Sequence, residues 1–230
     1  MKTLYDDIDN LNWISFDRFE AKDNPQYDNL ISQLNSWSDD PNMKKFITEN
    51  DLGEDMDFWF KLVNDTDLFF ATNSQDELVS CVLISHSRPL MKKDELLDYI
   101  ANNHHIHKLP TLDIPEEKFL TEPEVVDLLL NSDNENIYIE YILVNPKFQG
   151  RGIATRFYKK IQENMVFFGG NKDINLIQLS INNENIASRK SIIKNGFKRM
   201  KPAYYEDNIY ATYFLRVKKP TKELTPDEKF

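Results

Sequence analysis

Apolar and polar residues change their period several times along the chain, and each change marks an element. From Asn12 to Glu20, Trp13, Ser15 and Asp17 alternate with Ile14, Phe16 and Arg18, a two-residue period that predicts a first strand. The spacing then turns helical. Tyr27, Leu30, Ile31 and Leu34 form one stripe that Trp37 continues, and "SDDP" punctuates it before Met43, Phe46 and Ile47 begin another, so two short helices are predicted between Pro25 and Ile47. Met56, Trp59, Phe60 and Val63 share a face of a third helical piece. "DLFFATNSQDELVSCVLISHS" reads as two strands around a polar connector, Asn73 to Glu77, a hairpin signal.

Regularity lapses between residues 88 and 136. This stretch carries Pro89, Pro110, Pro115 and Pro123, amphipathic pieces at Asp94 to Ile100 and Glu124 to Leu130, and His104, His105 and His107. It is expected to be an insertion packed on the same domain, because no shift in composition marks a second core. Regularity then returns: a strand at Ile137 to Val144, a helix at Gly152 to Phe168, a strand at Leu176 to Ile181 and a helix at Ile186 to Asn195. Two strand-like runs close the pattern, near Phe197 to Ala203 and Ile209 to Val217. Strands alternating with helices imply an α/β fold with a locally parallel or mixed sheet.

Composition narrows the functions available. The chain has 230 residues with 40% hydrophobic and 12% aromatic, enough for a sizeable core. Its 38 acidic and 28 basic residues leave a formal charge of -10, and no Lys/Arg block stands out. That balance opposes binding along nucleic acid and suits a cationic partner. The single cysteine, Cys81, excludes an internal disulfide framework and a cysteine-based zinc site. No metal site is expected at the three histidines, which have no cysteine near them and loop-like surroundings. The opening "MKTLYDDIDN" has no apolar signal core and no apolar run approaches a membrane span, so a cytoplasmic protein without membrane contact is expected.

Candidate chemistry centres on "VNPKFQGRGIATRF", Val144 to Phe157, which holds two of the chain's 6 glycines. Gly150 and Gly152 fall between a strand and a helix whose apolar face is Ile153, Phe157 and Ile161. Free N–H groups and the macrodipole at such a helix N-terminus favour an anion, and glycines let a phosphate approach the main chain. A dinucleotide fingerprint would need glycine or alanine where Thr155 stands, and no Gly-Lys-Ser/Thr triplet exists for a P-loop. Glycines serving only the packing of a helix start remain the alternative.

A second block, "NNENIASRKSIIKNGFKRM", places Asn185 at a helix start, Ser188 one turn in, and Lys194, Gly196 and Phe197 at its exit. Together the two blocks resemble the GNAT N-acetyltransferase superfamily, whose signature is Gln/Arg-x-x-Gly-x-Gly/Ala after a strand, then a strand, an asparagine and a helix ending in Gly-Phe. The resemblance covers Ile137 to Phe197 and runs from Gln149-Gly150-Arg151-Gly152-Ile153-Ala154 to Asn185, Ser188 and Gly196-Phe197. It implies a mixed, mostly antiparallel central sheet with helices on both faces, splayed after Ile142. The implied co-substrate is acetyl-CoA. In that family, residues at the positions of Arg151 to Thr155 bind the pyrophosphate through backbone N–H groups. Leu143 and Val144 would hydrogen-bond the pantetheine arm along the splayed strand edge, as an added strand would. Asn185 would contact the pantetheine or thioester, and Arg189 could reach a CoA phosphate. A simple helix N-cap is the other reading of Asn185.

Acetyl transfer to an amine needs the amine neutral, whereas a Lys-type amine has a pKa of about 10.4. A base must take its proton, and Glu140, inside the strand leading to the glycines, is the candidate; by alternation it shares a face with Tyr138 and Ile142. A glutamate that merely faces solvent is the alternative. Where the family usually has a tyrosine to protonate the departing thiolate, this chain has Ile192. Tyr204, or Tyr205 or Tyr210, would replace it, or solvent would protonate a thiolate whose free pKa is about 8.5. "LNSWSDDPNMKKF" is similar to a Leu-x-x-Trp-x-x-Asp-Pro segment of aminoglycoside 6'-N-acetyltransferases and ribosomal-protein N-acetyltransferases; there Asp39 and Asp40 would face a cationic acceptor. The resemblance therefore implies an enzyme acting on a small cationic amine or a protein N-terminus, as a monomer or homodimer. A non-catalytic acyl-CoA-binding module is the competing reading, motivated by Ile192 and the long insertion.

Overall fold

A computed structural model of the chain describes residues 11–16, 21, 23–45, 57, 66–86, 114, 117–130, 136–168, 175–200 and 210–217. The strands are β1 (Asn12–Ser15), β2 (Thr66–Thr72), β3 (Leu78–Ser85), β4 (Asn136–Val144), β5 (Leu176–Asn182), β6 (Lys198–Arg199) and β7 (Tyr210–Arg216). Among the described residues the helices are α1 (Pro25–Asn35), α2 (Pro41–Lys44), α3 (Glu122–Leu130), α4 (Ile153–Glu163), α5 (Met165–Phe168) and α6 (Ile186–Lys194). None of them is long and apolar enough to cross a membrane. The strands form one seven-stranded sheet in the order β1-β2-β3-β4-β5-β7-β6. Among the strand pairs of the described residues only β4–β5 is parallel, so the sheet is mixed and mostly antiparallel.

Helices cover both faces because the central strands alternate two apolar sets. On one face Ile84, Ile137, Ile139, Ile177 and Leu179 meet Phe157, Ile161 and Phe168 of α4 and α5. Trp13 adds edge-on ring contacts there, 4.5 Å from Phe157 and 5.4 Å from Phe168. On the other face Leu68, Phe70, Cys81 and Leu83 meet Tyr27, Leu30, Leu34, Trp37 and Met43 of the α1–α2 segment. Asn24 starts α1 by accepting from the N–H groups of Gln26 (2.9 Å) and Tyr27 (3.3 Å), with Pro25 at the first helical position.

The predicted helix over 152–168 is interrupted. Asn164 leaves the helical conformation and donates from Nδ2 to the Lys160 carbonyl at 2.9 Å, which ends α4; α5 then resumes the same buried stripe with Met165 and Phe168. From the stretch expected to be an insertion, Lys118 to Leu120 lie along β6, with a parallel bridge between Phe119 and Arg199 and a bond from Leu120 N to Arg199 O at 2.9 Å. Glu124 then reaches back to the residue ahead of α3: its carboxylate accepts from Thr121 N at 2.9 Å and from Thr121 Oγ1 at 3.0 Å. His104, His105 and His107 lie outside the described residues, as does most of the third helical piece.

Candidate functional site

Two strands that begin side by side and then part create the site. β4 and β5 pair from Asn136↔Leu176 to Ile139↔Leu179 and no further, so the sheet splays from Glu140, earlier than the expected point after Ile142. A β-bulge in β4 falls at the same place: Leu83 pairs with Tyr141 and Ile84 with Ile139, leaving Glu140 as an extra residue. The bulge also resets the alternation. Tyr138 pairs with Ser85, while Ile142 packs on the α4 side together with Ile139. Tyr138 and Ile142 therefore do not share a face, contrary to simple alternation. Half-buried Glu140 reaches across to Ser85, whose Oγ donates to Glu140 Oε1 at 2.8 Å.

The split is a cleft of about 990 Å³. Glu140, Leu143, Val144, Gln149, Gly150, Gly152, Ile153, Ala154, Thr155, Asn185 and Ser188 all line it, so it gathers most of the residues expected from the sequence. Arg151 is not among its lining residues; its guanidinium lies 5.6 Å from the Phe148 ring centre. Tyr204 lies outside the described residues.

The open edge of β4 has a definite polarity. Asn145 N bonds to Val79 O at 2.9 Å, which makes Ser80↔Val144 and Val82↔Ile142 the non-hydrogen-bonded pairs of the β3–β4 ladder. The peptide groups of Ile142 and Val144 hence point away from β3, toward the split, whereas those of Leu143 point into β3. Ser80 Oγ donates to the Leu143 carbonyl as well, at 2.6 Å. This corrects the expectation for Leu143: Ile142 takes its place at the edge, for which the strand parity gave no sign before the register was known. Gln149 spends its amide nitrogen on the Val144 carbonyl (3.1 Å) and on Met43 Sδ (3.4 Å), closing the end of the edge and tying α2 to the turn.

Gly150 and Gly152 both adopt positive φ, 74° and 77°, where a side chain is strained. The first i to i−4 bond of α4 runs from Arg156 N to Gly152 O at 3.1 Å, so the N–H groups of Ile153, Ala154 and Thr155 precede it and point out of the helix end. A Cβ at either glycine would meet no heavy atom within 4 Å, and both glycines line the cleft together with Ile153, Ala154 and Thr155, so this helix start borders open space, as an anionic ligand requires. α6 stands beside this turn, with Thr155 Oγ1 at 3.2 Å from Ser191 Oγ and Asn195 Nδ2 donating to Thr155 O at 2.9 Å. Its exposed Lys190 and Lys194, one turn apart, line the same end of the cleft, a cationic pair that the sequence reading missed although its spacing was visible.

Asn185 is the N-cap of α6, its Oδ1 accepting from Ser188 N at 3.1 Å, while it also borders the cleft. Arg189 is a correction. It is buried, 2% exposed, and absent from the cleft lining; its guanidinium bonds the Glu117 carboxylate, the Tyr213 hydroxyl and the Asn183 carbonyl. A buried guanidinium so engaged cannot reach a ligand phosphate. Asp39 and Asp40 also stand apart from the cleft lining: Asp39 pairs with Lys44 at 3.1 Å and Asp40 Oδ1 caps Met43 N at 3.3 Å. Ile192 is fully buried in the core.

Residues 32–197 match the family described as Acetyltransferase (GNAT) family. No curated protein sequence matches the chain significantly. Among solved structures, the aminoglycoside acetyltransferase AAC(6')-Ib in complex with coenzyme A is similar at a TM-score of 0.52 and 11% identity, covering 90% of this chain and 94% of that one. The same enzyme with paromomycin and acetyl-CoA gives 0.51 and 12%, over 89% and 91% of the two chains. An uncharacterized protein from Bacillus halodurans gives 0.51 and 14%, over 90% and 83%. At these identities the likeness is one of fold.

Proposed function

The chain belongs to the GNAT acetyltransferase family, and on that premise we propose that it is an N-acetyltransferase, moving an acetyl group from acetyl-CoA to a primary amine of a small cationic molecule or of a protein N-terminus. The observation that carries the proposal is the convergence at one split of an open strand edge, a helix N-terminus that borders open space, and a carboxylate. Acetyl-CoA, when bound, supplies a thioester carbonyl that an amine can attack. The N–H groups of Ile153, Ala154 and Thr155 would hold its pyrophosphate, with Lys190 and Lys194 in place of Arg189 as the charged side chains nearby. Ile142 and Val144 would hold the pantetheine amides by strand-like bonds, and the start of α6 at Asn185 and Ser188 would flank them.

Charge along the cleft is divided: lysines and a helix N-terminus at one end, Glu140 at the other. An ammonium is drawn to the second. Glu140, held by Ser85, then takes the proton that makes the amine nucleophilic. Tyr204 is the proposed donor to the leaving sulfur, and Tyr210, which lines the cleft, carries the same group. We place the protein in the cytoplasm, as a monomer or homodimer built on one domain, with residues 88–136 as its insertion. The test is release of free thiol from acetyl-CoA across a polyamine, an aminoglycoside, an amino acid and a peptide N-terminus. Amine-dependent release is expected; tight CoA binding with no turnover on any amine would favour a non-catalytic acyl-CoA-binding module.

A further inference from the structure

A carboxylate taken out of water needs compensation, and the side chain of Glu117, just before α3, is 6% exposed. Arg189 Nη2 donates to both of its oxygens at 3.0 Å, Arg199 Nη1 to Oε2 at 3.1 Å, and the Tyr213 hydroxyl to Oε1 at 2.6 Å. The same two arginines grip the turn ahead of α6. Arg189 Nη1 donates to Asn183 O and Arg199 Nη2 to Asn183 Oδ1, each at 2.9 Å. Asn183 sits between Asn182 and Asn185, both of which border the cleft, and Asn185 N bonds back to Asn182 O at 2.9 Å. Without the carboxylate, two buried like charges would face each other, and relief of that repulsion draws both guanidinium groups off Asn183.

We propose that Glu117 is a positioning residue for the acetyl-transfer site: acting through Arg189 and Arg199, it fixes the Asn182–Asn185 turn and hence the cleft-facing start of α6. The stretch between β3 and β4 is thereby part of the support of the site. The inference rests on the reading that this cleft takes acetyl-CoA.

Its test compares Glu117→Gln and Glu117→Asp with Glu124→Gln, a control that breaks the partly exposed Glu124–Lys198 pair of the same segment. Amide hydrogen exchange over residues 183–189 of the free protein is read first, then acetyl-CoA affinity by calorimetry. In Glu117→Gln, exchange there should quicken while α4 stays protected, and affinity should fall roughly tenfold to a hundredfold, the scale of one or two ligand hydrogen bonds lost when the turn shifts. Glu117→Asp, which keeps the charge, should recover part of both, and the control should match the parent. Should Glu117→Gln not fold, Tyr213→Phe removes one donor without changing charge and should show the same pattern more weakly. Unchanged exchange at 183–189, or quickened exchange with parental affinity, overturns the proposal. Failure of the unmutated protein to bind acetyl-CoA is a separate result: it defeats the functional reading, and the exchange arm still decides whether Glu117 holds the turn.

Discussion

Replacing Gly152 by alanine separates two consequences of one residue, strain and occlusion. At φ 77° a Cβ costs about 1–2 kcal/mol, and since it would meet no heavy atom within 4 Å, no steric clash with the protein adds to that. A chain of this length loses about 2–4 °C in Tm per kcal/mol, so Tm should fall by roughly 2–8 °C. Gly152 lines the cleft beside Ile153, Ala154 and Thr155, so a methyl group there is expected to crowd a phosphate held by their N–H groups and to cost it one of those bonds. Losing one charge-assisted hydrogen bond is worth about 1.5–3 kcal/mol, so acetyl-CoA affinity should fall by roughly tenfold to more than a hundredfold. Gly152→Glu adds a negative charge and should abolish binding. The control is Gly196→Ala: φ is 84° there too, but its Cβ would meet only Leu215 Cδ1 at 3.7 Å, and Gly196 does not line the cleft. It should lose comparable stability and keep its affinity. Calorimetry and thermal melts on the three variants are the assay. If Gly152→Ala binds acetyl-CoA no more weakly than Gly196→Ala, the anion cradle is refuted.

Glu140→Gln should lower kcat by roughly 10²–10⁴ at nearly constant acetyl-CoA affinity and flatten the acidic limb of the pH–rate profile; parental turnover would move the base elsewhere. Lys190→Ala with Lys194→Ala should weaken acetyl-CoA binding and reduce its salt dependence, measured by titration at several ionic strengths. Burial pushes the Glu117 carboxyl up, but Tyr213, Arg189 and Arg199 outweigh it and hold the group below its ordinary value. Its folded-state pKa is thus depressed, so the stability it contributes is present above the unfolded value of about 4.3 and is lost as pH falls through the lower folded value. Melts across that range should show this acid loss in the parent and a weaker one in Glu117→Gln.

Much of the fold was legible because burial on one face leaves a period. Ile153, Phe157 and Ile161 announced α4, and the hairpin around Asn73 to Glu77 appears as drawn. The glycine turn was legible for a related reason: two glycines before an amphipathic run have few uses other than positive φ at a helix start. The bulge was not. "IYIEYILV" is apolar on both faces, so an extra residue at Glu140 leaves no break in the pattern and is fixed only by pairing with β3. Arg189 was misassigned because its partner, Glu117, lies 72 residues away, a separation that no local pattern encodes. The interruption at Asn164 was hidden because the buried stripe continues through it.

The central claim is that acetyl-CoA occupies the split between β4 and β5, and a crystal structure of the protein with coenzyme A tests it most directly. The pyrophosphate should lie against the N–H groups of Ile153, Ala154 and Thr155, the pantetheine amides should bond the edge at Ile142 and Val144, and the thiol should end near Glu140. Coenzyme A bound away from the split, or density in the split with the β4 edge unbonded and the glycine turn untouched, would contradict the account.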